Sequence, residues 1–271
     1  MRRTLPGACI AAVALCCLAL GVTAESSAHA ALTRAPTAAE RSAAAAVAVA
    51  SRWRSWPAGR IFPAGLGYLT SLQTTETARR AGISAGSGCR SATVATAGRQ
   101  ALQDGCRAAL RATYADQLQG VVYTIGVFAF ASPRGAAAFL RALAADPPGG
   151  PASSRPPGGT ASSRPAGRFH LSGAATVLAA EKSPWYGLRA LAVPDTAGAR
   201  FTNAARQVMT GRQQGPYVAL VVAGYADGRP AAAAGRLRYV IFRPARQLAA
   251  EVLGPLSAPP AVTCARPEWQ C

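Results

Sequence analysis

The chain has few acidic side chains: 11 aspartates and glutamates stand against 29 lysines and arginines in 271 residues. These acidic residues are isolated along the sequence, as Glu76, Asp104 and Asp116 illustrate. Acid–base catalysis by two carboxylates and the binding of a hard metal ion both require carboxylates that lie close together. The sequence therefore predicts neither kind of site.

Histidine is nearly absent as well, and His170 is the only one after residue 30. The seven cysteines lack the CxxC or Cys/His spacing that is typical of zinc sites. Phosphate-binding loops and dinucleotide fingerprints are missing. The arginines are scattered and do not form a basic patch with interleaved aromatic residues, which argues against nucleic-acid binding. We therefore expect no metal, no cofactor and no nucleic-acid partner.

The only apolar run that approaches the length of a membrane span is at the start of the chain. Arg2 and Arg3 precede an apolar run from Ala8 to Val22, and small residues follow, which matches the three parts of a secretory signal peptide. Cleavage is expected after Ala24 or Ala30. The alternative is an uncleaved membrane anchor through residues 7–24, because the run is only slightly short for a membrane span. Either way, the sequence predicts a secreted or extracytoplasmic protein.

The cysteines that would remain after signal removal agree with export. An even number of cysteines suits two disulfides in an oxidising compartment. Sequence proximity favours one bridge within the first pair and one within the second, although three pairings are possible. The four residues are Cys89, Cys106, Cys264 and Cys271.

The chain is strongly basic, with a formal net charge of +18 at pH 7. For an exported protein the natural partners of such a charge are an anionic envelope surface or another exported protein that is acidic. Arg236, Arg243 and Arg246 fall near one side of the last helical region and are candidates for that contact. The alternative is a solvated surface in a chain whose coding bias favours arginine, since Lys182 is the only lysine. The oligomeric state is not predicted.

The segment 119–143 has the strongest structural pattern. Residues 121–130 are apolar at both alternating sets of positions, which predicts an inner strand of a sheet beneath a helical layer. Ser132 suits an N-cap and Pro133 the first helical position. Four apolar residues then recur at helical spacing and predict the face that lies on the sheet: Ala136, Phe139, Leu140 and Leu143.

Several other elements are predicted from local patterns. Residues 98–118 have Leu102, Cys106, Leu110 and Tyr114 at four-residue steps, which indicates a helix. Further expected elements are strands at 174–180 and 188–193, a hairpin of 206–210 with 216–226, and an alanine-rich helix from Pro230 to about Leu253 that Pro244 kinks or divides.

These elements predict an α+β fold with an antiparallel sheet of about five or six strands, helices mainly on one face, and two disulfides. Two similar strand–helix units, 120–145 and 216–253, resemble the exported, disulfide-bearing α+β domains of actinobacterial lipoproteins and sensor ectodomains. The resemblance implies export and transfers no functional residue. We divide the chain into 1–30 (signal peptide or anchor), 31–52 (alanine-rich connector), 53–146 (first half of the domain), 147–168 (flexible Pro/Gly/Ser repeat loop), 169–256 (second half) and 257–271 (cysteine-containing tail).

One catalytic pattern is present. Residues 82–86 satisfy GxSxG, the nucleophile-elbow spacing of serine hydrolases, with Ser84 as the nucleophile and His170 as the sole available base. The polar residues before Ser84 do not resemble the buried strand that an elbow requires. The sequence therefore favours an exported, non-enzymatic binding or accessory domain at the cell envelope. A small secreted serine hydrolase that uses Ser84 and His170, and a membrane-tethered structural protein, are the alternatives.

Overall fold

The computed structural model describes residues 37–84, 86, 88–144, 187–230 and 243–260, together with Cys17. Residues Val47–Pro259 form one compact unit, and Met1–Ala46 with Pro260–Cys271 form another. The predictions for the signal peptide, the repeat loop and the strand at 174–180 lie outside the described residues. None of the described helices is both long enough and apolar enough to cross a bilayer.

The described residues contain one six-stranded sheet in which all neighbouring strands are antiparallel. The strand order is β1-β2-β3-β4-β6-β5, so the predicted antiparallel α+β fold is confirmed. The strands are β1 Gly65–Leu69, β2 Thr75–Ile83, β3 Cys106–Ala115, β4 Val121–Phe130, β5 Arg206–Gln214 and β6 Tyr217–Tyr225.

Strand β4 is an inner strand, as predicted, because it pairs with β3 on one side and β6 on the other. All ten of its residues are buried. Side chains alternate across a strand, so Val121, Tyr123 and Ile125 enter one core cluster whereas Val122 and Phe128 enter another. We call these two sides of the sheet the first face and the second face.

Helices cover both faces, so the prediction of helices mainly on one face is wrong. The ends of α1 and α2 and most of α6 contribute to the first-face core, whereas α3, α4 and α5 contribute to the second-face core. The physical reason is that β4 and β6 are apolar on both sides and each side must be covered. The helices are α1 Ala38–Ser55, α2 Ala58–Ile61, α3 Cys89–Ala92, α4 Ala95–Gln103, α5 Pro133–Ala144 and α6 Pro244–Ser257.

Helix α5 begins and packs as predicted. The Ser132 hydroxyl oxygen accepts the backbone N–H of Gly135 at 3.2 Å, which is an N-cap contact. The four predicted apolar residues of α5 are buried. The ring of Phe139 lies 5.5 Å from that of Phe128 and 5.3 Å from that of Phe130, centroid to centroid, so this residue joins the helix to β4.

The prediction of a helix over 98–118 is correct only as far as Gln103 and is wrong for the residues that follow. Helix α4 ends at Gln103, and the chain reverses at Gly105, whose φ of +84° is readily adopted only by glycine. Residues from Cys106 onward form β3, which pairs with β4 from Cys106 opposite Phe130 to Ala115 opposite Val122. Cys106 is buried, but at the start of a strand rather than on a helix.

One of the two predicted disulfides is present among the described residues. Cys89 of α3 and Cys106 of β3 are bonded, with their Cα atoms 6.4 Å apart. The bridge therefore attaches the short helix α3 to the sheet. Cys264 and Cys271 lie outside the described residues, so their pairing stays a prediction.

The second half of the domain combines confirmed and wrong predictions. The hairpin is present as β5 and β6, with Gly215 at its turn in a positive-φ conformation of +56°. The strand at 188–193 is wrong, because only Leu188 pairs, through an isolated bridge to Thr93. Helix α6 starts at Pro244 and continues to Ser257. The two strand–helix units therefore differ: α5 follows β4 onto the second face, whereas α6 lies on the first.

Helix α6 packs on the first face and contacts both edge strands, β1 and β5. The Gln247 side-chain amide accepts the backbone N–H of Leu69 at 2.7 Å and donates to the Leu69 carbonyl at 3.0 Å. Arg52 of α1 donates to the carbonyls of three residues at the end of α6, at 2.5–3.0 Å. These bonds satisfy carbonyls that a helix end leaves open, and they place the end of the alanine-rich segment in the core.

The start of α1 belongs to the other unit and has a capping box. The Thr37 hydroxyl oxygen accepts the N–H of Glu40 at 3.2 Å, and the Glu40 carboxylate accepts the N–H of Thr37 at 2.7 Å. This reciprocal pair satisfies two of the donors that a helix start leaves open.

Candidate functional site

Residues 187–205, which we call the strap, directly precede β5 in the chain and lie on the second face, where Leu188 and Phe201 are part of the core. The strap begins against the α3–α4 connection: Val94 donates its N–H to the carbonyl of Gly187, and Arg189 donates its N–H to the carbonyl of Ala92, both at 2.9 Å. Because α3 is fixed by the disulfide, the start of the strap is also fixed relative to β3. The bond between Arg189 and Ala92 therefore fixes the backbone position from which the Arg189 side chain extends.

A buried polar network attaches the middle of the strap to the sheet. The hydroxyl groups of Thr113 and Thr124 lie 3.1 Å apart on neighbouring strands. The Thr113 hydroxyl donates to the carbonyl of Leu191 at 2.6 Å, and the N–H of Leu191 donates to the Thr124 hydroxyl oxygen at 3.0 Å. Both backbone groups of Leu191 are therefore satisfied by the sheet, as buried polar groups require.

The end of the strap folds back on its beginning. Arg206, at the start of β5, is buried and donates to the carbonyls of Asn203 at 2.9 Å and Leu188 at 2.7 Å. The side-chain oxygen of Asn203 accepts the N–H of Ala190 at 2.9 Å. Burial lowers the pKa of Arg206. The side chain of Arg206 therefore holds the end of the strap against its beginning.

Glycines on the strands make room for the strap. A side chain at Gly126 would meet a methyl group of Leu188, which is fully buried, and one at Gly82 would lie 2.8 Å from Val193. Such distances are far inside van der Waals contact. The strap therefore depends on the absence of side chains at these two positions.

We expect Gly126→Ala to lower the free energy of unfolding by about 1–3 kcal/mol, because the added methyl group overpacks the seat of Leu188. Amide hydrogen exchange should also become faster at Leu191, whose N–H is held by Thr124. Gly67→Ala is the matched control, because a side chain there meets nothing within 4 Å. Equal stability of the Gly126 variant and the control would contradict this account of the strap.

The strap brings Arg189 next to Arg111 of β3. Arg111 lies opposite Gly126 in the β3–β4 register and so points to the second face. Its Nη1 donates to the carbonyl of Arg189 at 3.4 Å, a long bond, while the Nε of Arg189 donates to the carbonyl of Thr93 at 2.7 Å. Burial and the nearby guanidinium of Arg189 lower the pKa of Arg111. Two positive groups are therefore held close together.

Ser84 lies at the edge of this arginine pair. It follows the last residue of β2, and its backbone N–H donates to the carbonyl of Arg111 at 2.9 Å. The Ser84 hydroxyl oxygen accepts the N–H of Gly86 at 3.3 Å. Strand β2 precedes Ser84, but only Ala78 of this strand is buried, and α3 starts only at Cys89. His170 lies outside the described residues, so the proposed Ser84–His170 pair is not tested.

The other predicted contact residues lie elsewhere. Arg243 and Arg246 are exposed at the start of α6, next to the first face, and Arg236 is outside the described residues. Sequence reasoning missed Arg111 and Arg189, which are 78 residues apart. Among the described residues, no three side chains of the metal-binding types come together.

No family model, curated protein or solved structure matches the chain, so no function is transferred from a known protein. The functional interpretation therefore rests on the charges and contacts of this structure.

Proposed function

We propose that this protein is an exported, non-enzymatic binding domain that attaches to an anionic surface of the cell envelope through its second-face helices. The observation that carries the proposal is the charge of that layer. Helices α3, α4 and α5 contain no acidic residue. They have four exposed arginines: Arg90, Arg99, Arg134 and Arg141.

One acidic residue lies next to this layer in sequence, and it is half-buried at the end of α4. Asp104, which follows α4, accepts a hydrogen bond from the side-chain amide of Gln100 at 2.8 Å. The layer therefore presents guanidinium groups without alternating carboxylates. Such a surface attracts anionic polymers and lipid head groups over about 10 Å at moderate ionic strength.

The disulfide supports the exported location in this proposal, because such bonds form and persist in oxidising compartments. The signal-like N terminus points the same way. The described contacts of Ser84 are with backbone groups: its N–H donates to the carbonyl of Arg111, and its hydroxyl oxygen accepts the N–H of Gly86.

The test compares two variants that each lose two arginines from one helix. Arg134→Gln with Arg141→Gln alters α5, and Arg243→Gln with Arg246→Gln alters the start of α6. Each surface arginine contributes about 1 kcal/mol to binding of anionic lipid, so the α5 variant should bind phosphatidylglycerol vesicles roughly 30-fold less tightly. Sedimentation of the purified protein with vesicles measures this partition.

The α6 variant should lose less than roughly threefold, because its arginines lie outside the proposed surface. Binding by the unaltered protein should also disappear near 0.5 M salt, where surface charges are screened. A loss confined to the α6 variant, or no binding of the unaltered protein at low salt, would refute attachment through the second-face helices.

A further inference from the structure

The pair of Arg111 and Arg189 has hydrogen-bonding capacity that the described part of the chain does not use. A guanidinium group carries five N–H donors. Arg111 uses its Nη1 in one long bond, and its Nε is buried with no hydrogen-bond partner. Arg189 makes one side-chain bond, through its Nε to Thr93. A buried donor without a partner is costly, so this arrangement is suited to an added acceptor.

No carboxylate among the described residues forms an ion pair with either arginine of the pair. The only ion pair between two described residues joins Arg229 and Asp227, which are part of a different turn. Two guanidinium groups at short range repel each other in a partly desolvated position. A dianion between them would remove that repulsion, whereas a single carboxylate would offset only one of the two charges.

Ser84 adds a third donor on the same side. It continues the β2–β3 register, in which Ile83 lies opposite Ala112, so Ser84 is the neighbour of Arg111. Neighbouring residues of an antiparallel pair share a face, with Cβ atoms about 5 Å apart. The Ser84 hydroxyl accepts a bond from Gly86, and its own proton is left to donate.

The three donors are held by a rigid frame. Arg111 belongs to a strand that is paired on both sides. The strap that carries Arg189 is bonded to Ala92, Thr113 and Thr124. A preorganised set of donors loses little entropy when it binds.

From this geometry we propose that Arg111, Arg189 and Ser84 form a binding site for a phosphate group. Its terminal oxygens would accept bonds from the two guanidinium groups and from the serine hydroxyl. Guanidinium groups match phosphate well because their parallel N–H donors pair with two oxygens. The site goes beyond surface attachment and stands or fails separately from it, since none of the three residues is on α5 or α6.

The test is calorimetric titration of the full chain with inorganic phosphate and with glycerol 3-phosphate at constant ionic strength. Arg111→Gln should weaken binding at least about tenfold, and Arg189→Gln by a similar factor, because bonds to charged groups are lost. Ser84→Ala should weaken it roughly threefold. Arg246→Gln is the matched control: it removes the same charge from an exposed position that lies outside both proposed binding surfaces, and it should change affinity less than twofold.

Arg189 is exposed, so its variant keeps the fold and tests the site even if Arg111→Gln is destabilised. Equal weakening in the Arg246 control would mean diffuse charge attraction and would overturn the site. So would unchanged affinity in both arginine variants. Vesicles that contain phosphatidic acid identify the source: loss of vesicle binding in Arg189→Gln assigns a surface-borne phosphate, and loss confined to the soluble compounds assigns a free phosphate.

Discussion

Replacing Phe139 by alanine is expected to lower the free energy of unfolding by about 3–5 kcal/mol. The side chain is fully buried, and its ring packs against the rings of Phe128 and Phe130. Both partners belong to β4, which pairing on two sides prevents from moving into the space left behind. The loss therefore includes the cost of a cavity as well as the lost transfer of the ring from water. Urea denaturation followed by circular dichroism measures it.

Leu118→Ala is the control for this change. Leu118 lies in the β3–β4 turn with 84% of its surface exposed, so its truncation should change stability by less than about 0.5 kcal/mol. The role assigned to Phe139 would be contradicted by a loss below about 1 kcal/mol, which is the effect of an average substitution.

Removing the disulfide by Cys89→Ala with Cys106→Ala is expected to cost about 3 kcal/mol. The two cysteines are 17 residues apart, and a crosslink that closes a loop of this length restricts the unfolded chain by about that amount. The effect extends to the strap, because α3 and the α3–α4 connection hold its first residues. The midpoint of chemical unfolding, compared with that of the oxidised protein, measures the loss.

Reduction of the unaltered protein provides the comparison for this variant. A reducing agent should bring the midpoint of the unaltered protein down to that of the double variant treated with the same reducing agent. A further shift of the variant itself under reduction would indicate a second disulfide, as predicted for Cys264 and Cys271. A double variant as stable as the oxidised protein would contradict a stabilising role for the Cys89–Cys106 bridge.

The parts of the fold that the sequence predicts well are those with local signals. Strand β4 is largely apolar at both alternating sets of positions, and Ser132 with Pro133 gives both a cap and a helix start. The β5–β6 hairpin is likewise indicated by the glycine turn at Gly215 and by the apolar sequence of β6 that follows it. Each of these signals acts over a few residues, and no distant part of the chain alters it.

Strand β3 was mistaken for a helix for a reason of geometry. A four-residue step returns to the same side of a helix, but four is also an even number and returns to the same face of a strand. Leu110 and Tyr114 do share the first face.

Strand β2 was missed because its sequence, TETARRAGI, is mostly polar. Only Ala78 of this strand is fully buried, and the polar residues are consistent with its place next to the edge.

The candidate site was not predictable from local patterns. Arg111 and Arg189 meet because the strap returns across the second face, and that path depends on glycines of separate strands and on the Thr113–Thr124 pair. The local sign is Arg111 within the mostly apolar and small sequence of β3, in which Arg107 is the other charged residue. In contrast, the apolar residues on both sides of β4 and β6 already imply that helices or loops cover both faces of the sheet.

The contact between Gln247 and Leu69 bears on how the protein avoids self-association. Strand β1 is at the end of the sheet and is only five residues long. An open edge of this kind offers backbone groups to the strands of other molecules and so favours aggregation. The Gln247 amide occupies both the N–H and the carbonyl of Leu69. A side chain from within the same molecule thus takes the place that an intruding strand would need.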